Sequence, residues 1–106
     1  MSIIAIATYR PKDGQEQAFL KLLKSHVPIL RKQGLVTKRQ AYAMRSANGT
    51  IVEVFEWESE QAKRKAHKDP IVMACWNQFF ALADLVSLDS LDETKSPFAG
   101  FERIAF

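Results

Sequence analysis

Residues 46–76, SANGTIVEVFEWESEQAKRKAHKDPIVMACW, contain the clearest local signals in this chain. Asn48-Gly49 is typical of a tight hairpin turn in which both central residues take positive φ. The run TIVEVFEW that follows is rich in β-branched and aromatic residues, which predicts a strand over 50–57. This stretch therefore predicts a hairpin whose second strand leads into a helical region.

Two helix starts follow this strand. Ser59 is a good N-cap for a helix over 60–68. Asp69-Pro70 predicts a second start, with Asp as the N-cap and Pro at the first helical position. Apolar residues then recur at helical spacing over 70–83, which indicates a helix with a broad apolar face.

The rest of the chain completes a simple order of elements. The patterns predict a first strand over 3–9, a helix over 15–33, a second strand over 35–46 and a last strand over 85–91. Pro28 should kink the helix or restart it, because it lacks a backbone donor. The order β-α-β-β-α-β predicts an α+β, ferredoxin-like antiparallel sheet with both helices on one face.

Two of the predicted strands are apolar on both faces. The first strand carries Ile4 and Ile6 on one face and Ile3 on the other, and the third strand is similar. Helices can cover only one face of the sheet, so the other face needs a partner. A second copy of the chain is the simplest partner, because closed two-fold dimers are the commonest oligomers. We therefore expect a homodimer.

The C-terminal segment 92–106 is too apolar for a disordered tail. We expect it to pack as an arm or an extra strand, along the dimer interface. The length of 106 residues is that of one domain, so 1–106 is expected to be a single ferredoxin-like domain.

Composition argues against several classes of function. The net charge is +3, and the basic cluster at 63–68 has no aromatic platform, so nucleic-acid binding is not expected. Cys75, the single cysteine, lies in an apolar run, and together with two separated histidines it predicts no metal site. Because the apolar N-terminal run is too short for a signal peptide or a membrane span, a cytoplasmic location without membrane contact is the default expectation.

The chain resembles the antibiotic biosynthesis monooxygenase domain family of the dimeric α/β-barrel superfamily. The resemblance rests on the opening strand followed by RPKDGQEQAFLKLL, on VEVFEWES, and on AHKDPIVMACWNQF before the last strand. It implies a dimer in which two sheets face each other as a barrel, with a pocket between the sheet and the helices of each subunit. Proteins of this kind oxidise aromatic polyketides with oxygen and no bound metal or flavin, open haem, or have no known activity.

The haem-opening branch of the superfamily can be tested on residues. That branch has an Asn on the first strand, a Trp at the end of the third strand and a His on the following long helix as the iron ligand. Trp57 matches the Trp, but Ala7 or Tyr9 stands where the Asn would be. Cys75 or Trp76 stands where the His would be. The resemblance therefore argues against haem degradation, and no cofactor is expected.

The oxygenase branch needs a pocket that binds a phenol or hydroquinone and assists the removal of its proton. The expected pocket-lining residues are Tyr9, Trp57, Trp76 and Phe80. The candidates for proton transfer or for stabilising a phenolate are His67, Tyr42 and Arg39. The resemblance thus implies a cofactor-independent monooxygenase-like protein acting on an aromatic or apolar small metabolite. A non-catalytic binding or stress-associated dimer is the alternative, and an isomerase-like or decarboxylase-like activity is a third option.

Several of these residues also have a simpler structural interpretation. His26 lies on the apolar stripe of the first helix and is expected to be a buried, hydrogen-bonded residue or a surface one packed by its stem. His67 is expected to be a surface or loop-capping residue unless it serves as a base in the pocket. Trp57 and Trp76 are most simply core aromatic residues.

Glu53 and Glu56 point to opposite faces of the third strand, because side chains alternate along a strand. One of them must face either the helices or a partner sheet, and a buried carboxylate needs a partner. Arg39 is a candidate for that partner, either as a structural pair at the interface or as part of the pocket chemistry.

Overall fold

The computed structural model describes all 106 residues, which form one antiparallel sheet and four helices. The strands are β1 (Ile3–Pro11), β2 (Tyr42–Arg45), β3 (Ile51–Trp57), β4 (Ala83–Leu85) and β5 (Glu102–Ile104). The helices are α1 (Glu16–Leu23), α2 (His26–Lys32), α3 (Glu60–Ala66) and α4 (Pro70–Leu82). The strand order β4-β1-β3-β2-β5 confirms the predicted α+β, ferredoxin-like fold, with a fifth strand added at one edge.

The predicted helix over 15–33 is two helices, α1 and α2. The chain breaks at Ser25, whose hydroxyl and backbone N–H both donate to the carbonyl of Leu22, at 2.7 Å and 3.1 Å. Pro28 lies in the first turn of α2, where a backbone N–H has no intrahelical acceptor, so its missing donor costs nothing. The expectation that Pro28 restarts the helix is confirmed, and the single span is wrong.

The hairpin between β2 and β3 differs from the predicted turn. Only Gly49 has positive φ, at 89°, whereas Asn48 does not. The N–H of Ser46 donates to the carbonyl of Thr50 at 2.8 Å, and the N–H of Gly49 donates to the carbonyl of Ser46 at 2.9 Å. These bonds define a three-residue loop that ends in a left-handed glycine, which is the next most common hairpin after the two-residue turn.

The predicted second strand over 35–46 is mostly irregular. Only β2 is regular, and upstream of it Val36 forms an isolated bridge with Trp57. The intervening residues 38–40 are polar and exposed, so they bury no apolar surface that would hold them in the sheet.

The predicted last strand over 85–91 is also wrong in its bounds. The strand β4 pairs with β1 and ends at Leu85, and short 3₁₀ turns follow at Leu88–Ser90 and Asp92–Lys95. The hydroxyl of Ser90 donates to the carbonyl of Ser87 at 2.6 Å, and such local bonds compete with the ladder of a sheet.

The C-terminal segment supplies β5, which pairs with β2 at the edge of the sheet. Arg45 on β2 joins this edge to the helical layer, because its guanidinium contacts Glu16 at 2.6 Å and Glu102 at 3.1 Å. Phe98 and Phe106, on either side of β5, remain exposed.

The two faces of the sheet differ in burial. The helix-facing residues at the centre of the sheet include Tyr9, Ile51, Glu53, Phe55 and Trp57, all of them buried. On the other face Ile4, Ile6 and Tyr42 are exposed. The helical layer thus leaves an apolar area of the sheet uncovered. No helix of the chain combines the length and the apolar character needed to cross a membrane.

Candidate functional site

A cavity of about 460 Å³ lies between the helix-facing side of the sheet and helices α3 and α4. Its aromatic walls are Tyr9, Phe55, Trp57, Trp76, Phe79 and Phe80. Ala5 and Ala7 of β1 also line it, and their small side chains leave space beside the large ones on β3. The register explains this arrangement, because Ala5 pairs with Phe55 and therefore shares its face of the sheet.

The start of α4 fixes the aromatic residues that this helix contributes to the cavity. One carboxylate oxygen of Asp69 accepts hydrogen bonds from the backbone N–H groups of Ile71 at 2.9 Å and Val72 at 3.2 Å. The other oxygen accepts a bond from the Gln33 side chain at 2.8 Å, which joins α4 to the end of α2. The Gln33 bond and the backbone bonds hold the pKa of Asp69 below its usual value. This cap sets the position of Trp76 relative to the sheet.

Five of the seven residues predicted for the site line this cavity. They are Tyr9, Trp57, Trp76, Phe80 and His67. Trp57 is also part of the apolar core, as the simpler interpretation expected.

Tyr42 and Arg39 do not share the site. Tyr42 pairs in register with Val54 and is exposed on the opposite face of the sheet. Arg39 is exposed on that side too, where its Nε lies 3.1 Å from Glu56. The pKa of Glu56 is lowered mainly by hydrogen bonds from Thr37 and Ser2, with a further contribution from Arg39. The expected carboxylate–arginine pair therefore involves Glu56, and Glu53 is the carboxylate that faces the helices.

A chain of hydrogen bonds centred on Glu53 lies at the floor of the cavity. Tyr9, His26 and Trp76 line the cavity, whereas Glu53 itself borders a second pocket of about 330 Å³. The hydroxyl of Tyr9 donates to Oε1 of Glu53 at 2.9 Å. Nδ1 of His26 lies 2.9 Å from both carboxylate oxygens. The indole Nε1 of Trp76 donates to Nε2 of His26 at 2.9 Å. Only 3% of Glu53 and 2% of His26 are exposed, so water contributes little to satisfying these groups.

The donor capacity of the side chains assigns the protons in this chain. An indole N–H can only donate, so Nε2 of His26 must be an acceptor. Nδ1 of His26 then carries the ring proton and donates to Glu53, which makes the imidazole neutral. Two donors therefore point at the carboxylate of Glu53, and no Lys or Arg lies within salt-bridge distance of it. The hydrogen-bonded groups thus carry one negative charge, and the cationic side chains Lys24, Arg31 and Lys38 line the second pocket that Glu53 borders.

The other titratable groups packed around Glu53 stay protonated. Burial, and then the charge of Glu53, raise the pKa of Tyr9 well above its usual range. The same two causes raise the pKa of the buried Cys75 thiol. Tyr9 and Cys75 are therefore neutral residues in the core.

Polar groups at the mouth of the cavity come from α3 and its C-terminus. The residue after the helix is His67, whose Nδ1 donates to the carbonyl of Lys63 at 3.0 Å, so its Nε2 is free. The His67 ring packs edge-on against Trp76, with centroids 4.9 Å apart. His67 thus caps a helix and borders the cavity at once. No three His, Cys, Asp or Glu side chains come together in a way that could hold a metal ion.

The sequence predicted parts of this network without joining them. His26 was expected to be buried and hydrogen-bonded on an apolar stripe, and this interpretation is confirmed. Glu53 shares strand parity with Phe55 and Trp57, which was a signal that it faces the helices. Glu53 and His26 each place a single polar group on an otherwise apolar face. This was the only sequence signal that the two side chains pair.

The bond from Tyr9 to Glu53 contributes to stability, and the Tyr9→Phe variant tests its size. The substitution leaves the ring packing and removes one donor to a buried carboxylate. We expect a loss of about 1.5–3 kcal/mol in the free energy of unfolding, as for hydrogen bonds to charged groups. Urea denaturation followed by fluorescence measures it.

Tyr42→Phe is the matched control, because Tyr42 is exposed on the sheet and the chain has only two tyrosines. We expect this change to stay within about 0.5 kcal/mol of the wild type. Equal effects of the two substitutions would contradict the assigned network.

Comparisons with known proteins support the fold. The structure of Rv0793 from Mycobacterium tuberculosis is similar with a TM-score of 0.67 and 19% identity, over 81% of this chain and 89% of that one. A NIPSNAP family protein from Agrobacterium tumefaciens is similar with a TM-score of 0.54 and 19% identity, over 78% and 77% of the two chains. No protein-family model and no curated protein matches the sequence. At 19% identity these likenesses support the α+β, ferredoxin-like fold, and they do not single out a family for this chain.

Proposed function

We propose that the cavity binds a small, flat, mainly apolar metabolite with a phenolic hydroxyl, and that the protein acts on it as a cofactor-independent monooxygenase. The observation that carries this proposal is an aromatic-walled space of about 460 Å³ with a buried chain of hydrogen bonds at its floor. Small-molecule sites typically enclose roughly 300–1,000 Å³ and combine apolar walls with a few polar groups.

The walls of the cavity favour an aromatic ligand. Trp57, Trp76 and Phe80 offer ring faces and edges, and aromatic pairs contribute beyond simple area burial. The polar groups of the lining are His26, which is buried, Trp76, which is half-buried, and the exposed Lys63 and His67. A planar ring with one hydroxyl directed inward fits this distribution.

The proposed chemistry uses dioxygen as the oxidant. Removal of the phenolic proton gives an electron-rich anion that can pass electrons to oxygen directly. In the overall reaction a phenol and O₂ give a quinone and water. One oxygen atom becomes the new carbonyl and the other leaves as water with the two hydrogens lost by the phenol. The protein contributes an aromatic-walled cavity that orients the ring.

The rival proposal is a binding protein without catalysis. It is favoured by one observation, namely that Nε2 of His26 is occupied by the indole N–H of Trp76 and so no free base faces the cavity interior. The two proposals predict the same ligand class and differ only in whether the bound phenol consumes oxygen.

Binding is tested with the Phe80→Ala variant. Phe80 is partly exposed and lines the cavity, so its removal should take away a ligand contact without disturbing the core. We expect affinity for hydroxylated aromatic compounds to fall roughly tenfold, which corresponds to about 1.4 kcal/mol. Isothermal titration calorimetry measures it, after a thermal-shift screen in which ligand at ~100 times its Kd stabilises the fold by about 2.7 kcal/mol.

Phe98→Ala is the control, because Phe98 is exposed and lies outside the cavity. We expect it to bind like the wild type. If no hydroxylated aromatic compound stabilises the wild type, the proposed ligand class is wrong. Oxygen uptake in the presence of each binding compound then separates the two proposals, since a binding protein consumes none.

We also propose that the chain forms a homodimer through the exposed face of the sheet. The support is the exposed apolar group Ile4, Ile6 and Tyr42 at the centre of a sheet whose other face is covered. A second copy seated on this face would bury these side chains and add hydrophobic stabilisation.

The Ile6→Lys variant tests the dimer. A charge at this position would lose its hydration in the proposed interface, so we expect the variant to shift toward the monomer. Ile71→Lys is the control, because Ile71 on α4 is exposed to a similar extent, 56% against 52% for Ile6. Light scattering at micromolar concentration should give twice the 12.0 kDa chain mass for the wild type and the control. A wild-type mass of 12.0 kDa would contradict the dimer.

A further inference from the structure

The hydrogen-bond chain at the cavity floor has an unusual charge balance. It contains a carboxylate and a neutral imidazole, and Tyr9 on β1 and Cys75 on α4 beside them are uncharged. Lys24, Arg31 and Lys38 line the second pocket that Glu53 borders, and none of them forms a salt bridge with it. One more proton on the imidazole would turn the buried negative charge into an ion pair with Glu53. The network is therefore one proton short of electrical neutrality.

A single contact blocks that proton. The only ring nitrogen of His26 that could accept it is Nε2, and the indole N–H of Trp76 occupies this atom at 2.9 Å. The Trp76 side chain is half-buried and forms part of the cavity wall, where its ring packs against His67. Exposing Nε2 of His26 requires the indole to rotate away from it. After such a rotation Nε2 of His26 faces the cavity.

We propose that His26 is the proton acceptor of this site, that Glu53 positions and charge-balances it, and that Trp76 is the gate that exposes it to a bound phenol. This proposal rests on the proposed ligand class. It assigns the acid–base role to a residue outside the candidates His67, Tyr42 and Arg39.

The proton transfer is balanced within the site. The phenolic O–H bond breaks, its proton forms an N–H bond at Nε2 of His26, and the electron pair stays on the phenolate oxygen. The Nδ1 proton stays directed at Glu53, so the imidazolium and the carboxylate form a pair. The displaced indole N–H of Trp76 can then donate to the phenolate oxygen. No oxidant takes part in this step.

The other candidates for the base are less suitable. Tyr42 and Arg39 lie across the sheet. The Nε2 atom of His67 is free, but this residue sits at the exposed mouth, where water competes for the proton. Only His26 combines burial with a carboxylate that can balance its charge.

The gate is tested first without ligand, by ¹⁵N NMR of histidine-labelled protein. The chain has only two histidines, and His67→Gln assigns their signals. In the wild type we expect His26 to be neutral with the proton on Nδ1. In Trp76→Phe, at mildly acidic pH, we expect a proton on both nitrogens, because the donor at Nε2 is gone. A wild-type His26 already protonated at Nε2, or no difference in Trp76→Phe, would overturn the gate.

The base is tested with para-nitrophenol, whose phenolate is yellow, at a pH at which the free probe is mostly protonated. We expect bound probe to absorb as the phenolate and Nε2 of His26 to gain a proton in the same sample. Glu53→Gln should bind the probe without ionising it. Bound probe that stays protonated beside an unchanged His26 would overturn this proposal and leave the ligand class intact. If the probe does not bind, both the proposed ligand class and the proton-acceptor role of His26 are wrong. The NMR comparison of the wild type with Trp76→Phe needs no ligand, so it tests the role of Trp76 separately.

Discussion

The buried carboxylate of Glu53 is the constraint on which the rest of this structure depends. An ionised group removed from water costs several kcal/mol unless hydrogen bonds replace its hydration. Here the replacements come from two different elements, because Tyr9 lies near the end of β1 and His26 begins α2. Trp76, in the middle of α4, donates in turn to His26 and so joins a third element to the network. One side chain on β3 thereby fixes how the helices sit on the sheet. The break between α1 and α2 also follows this arrangement, since α2 begins at the histidine that Glu53 binds.

The same arrangement creates the cavity. Small residues on β1 face large aromatic residues on β3 and α4, so the helical layer cannot close completely over the sheet. The polar chain at the floor prevents an apolar collapse there, because its members must keep their hydrogen-bond geometry. A cavity with apolar walls and polar groups at its floor suits a ligand that is mainly apolar and carries one polar group.

Local signals predicted much of the fold. The β-branched run before Trp57, the Asp69-Pro70 helix start and the short apolar run of β1 were among the signals that predicted the element order. The predicted bounds of the last strand were wrong because local hydrogen bonds at Ser87–Ser90 form turns in its place. The predicted bounds of the second strand were wrong because exposed polar residues interrupt it. Tyr42 and Arg39 were candidates for the pocket by their chemistry alone, because the sequence did not indicate which face of the sheet either residue occupies.

The hydrogen-bond network could not be predicted as a unit. Its partners are separated by 27, 44 and 50 residues, and no spacing rule connects positions on four packed elements. The sequence showed that Glu53 and His26 each interrupted an apolar face, and only the packing of α2 against the sheet brought them together.

The central claim is that Glu53 is ionised in the core, and an infrared difference spectrum between the wild type and Glu53→Gln at neutral pH tests it most directly. The account predicts that the substitution removes the absorption bands of one carboxylate. If the substitution instead removes the carbonyl band of a protonated carboxyl group, the claim is contradicted. Glu53 would then be uncharged in the wild type, and the network would already be neutral.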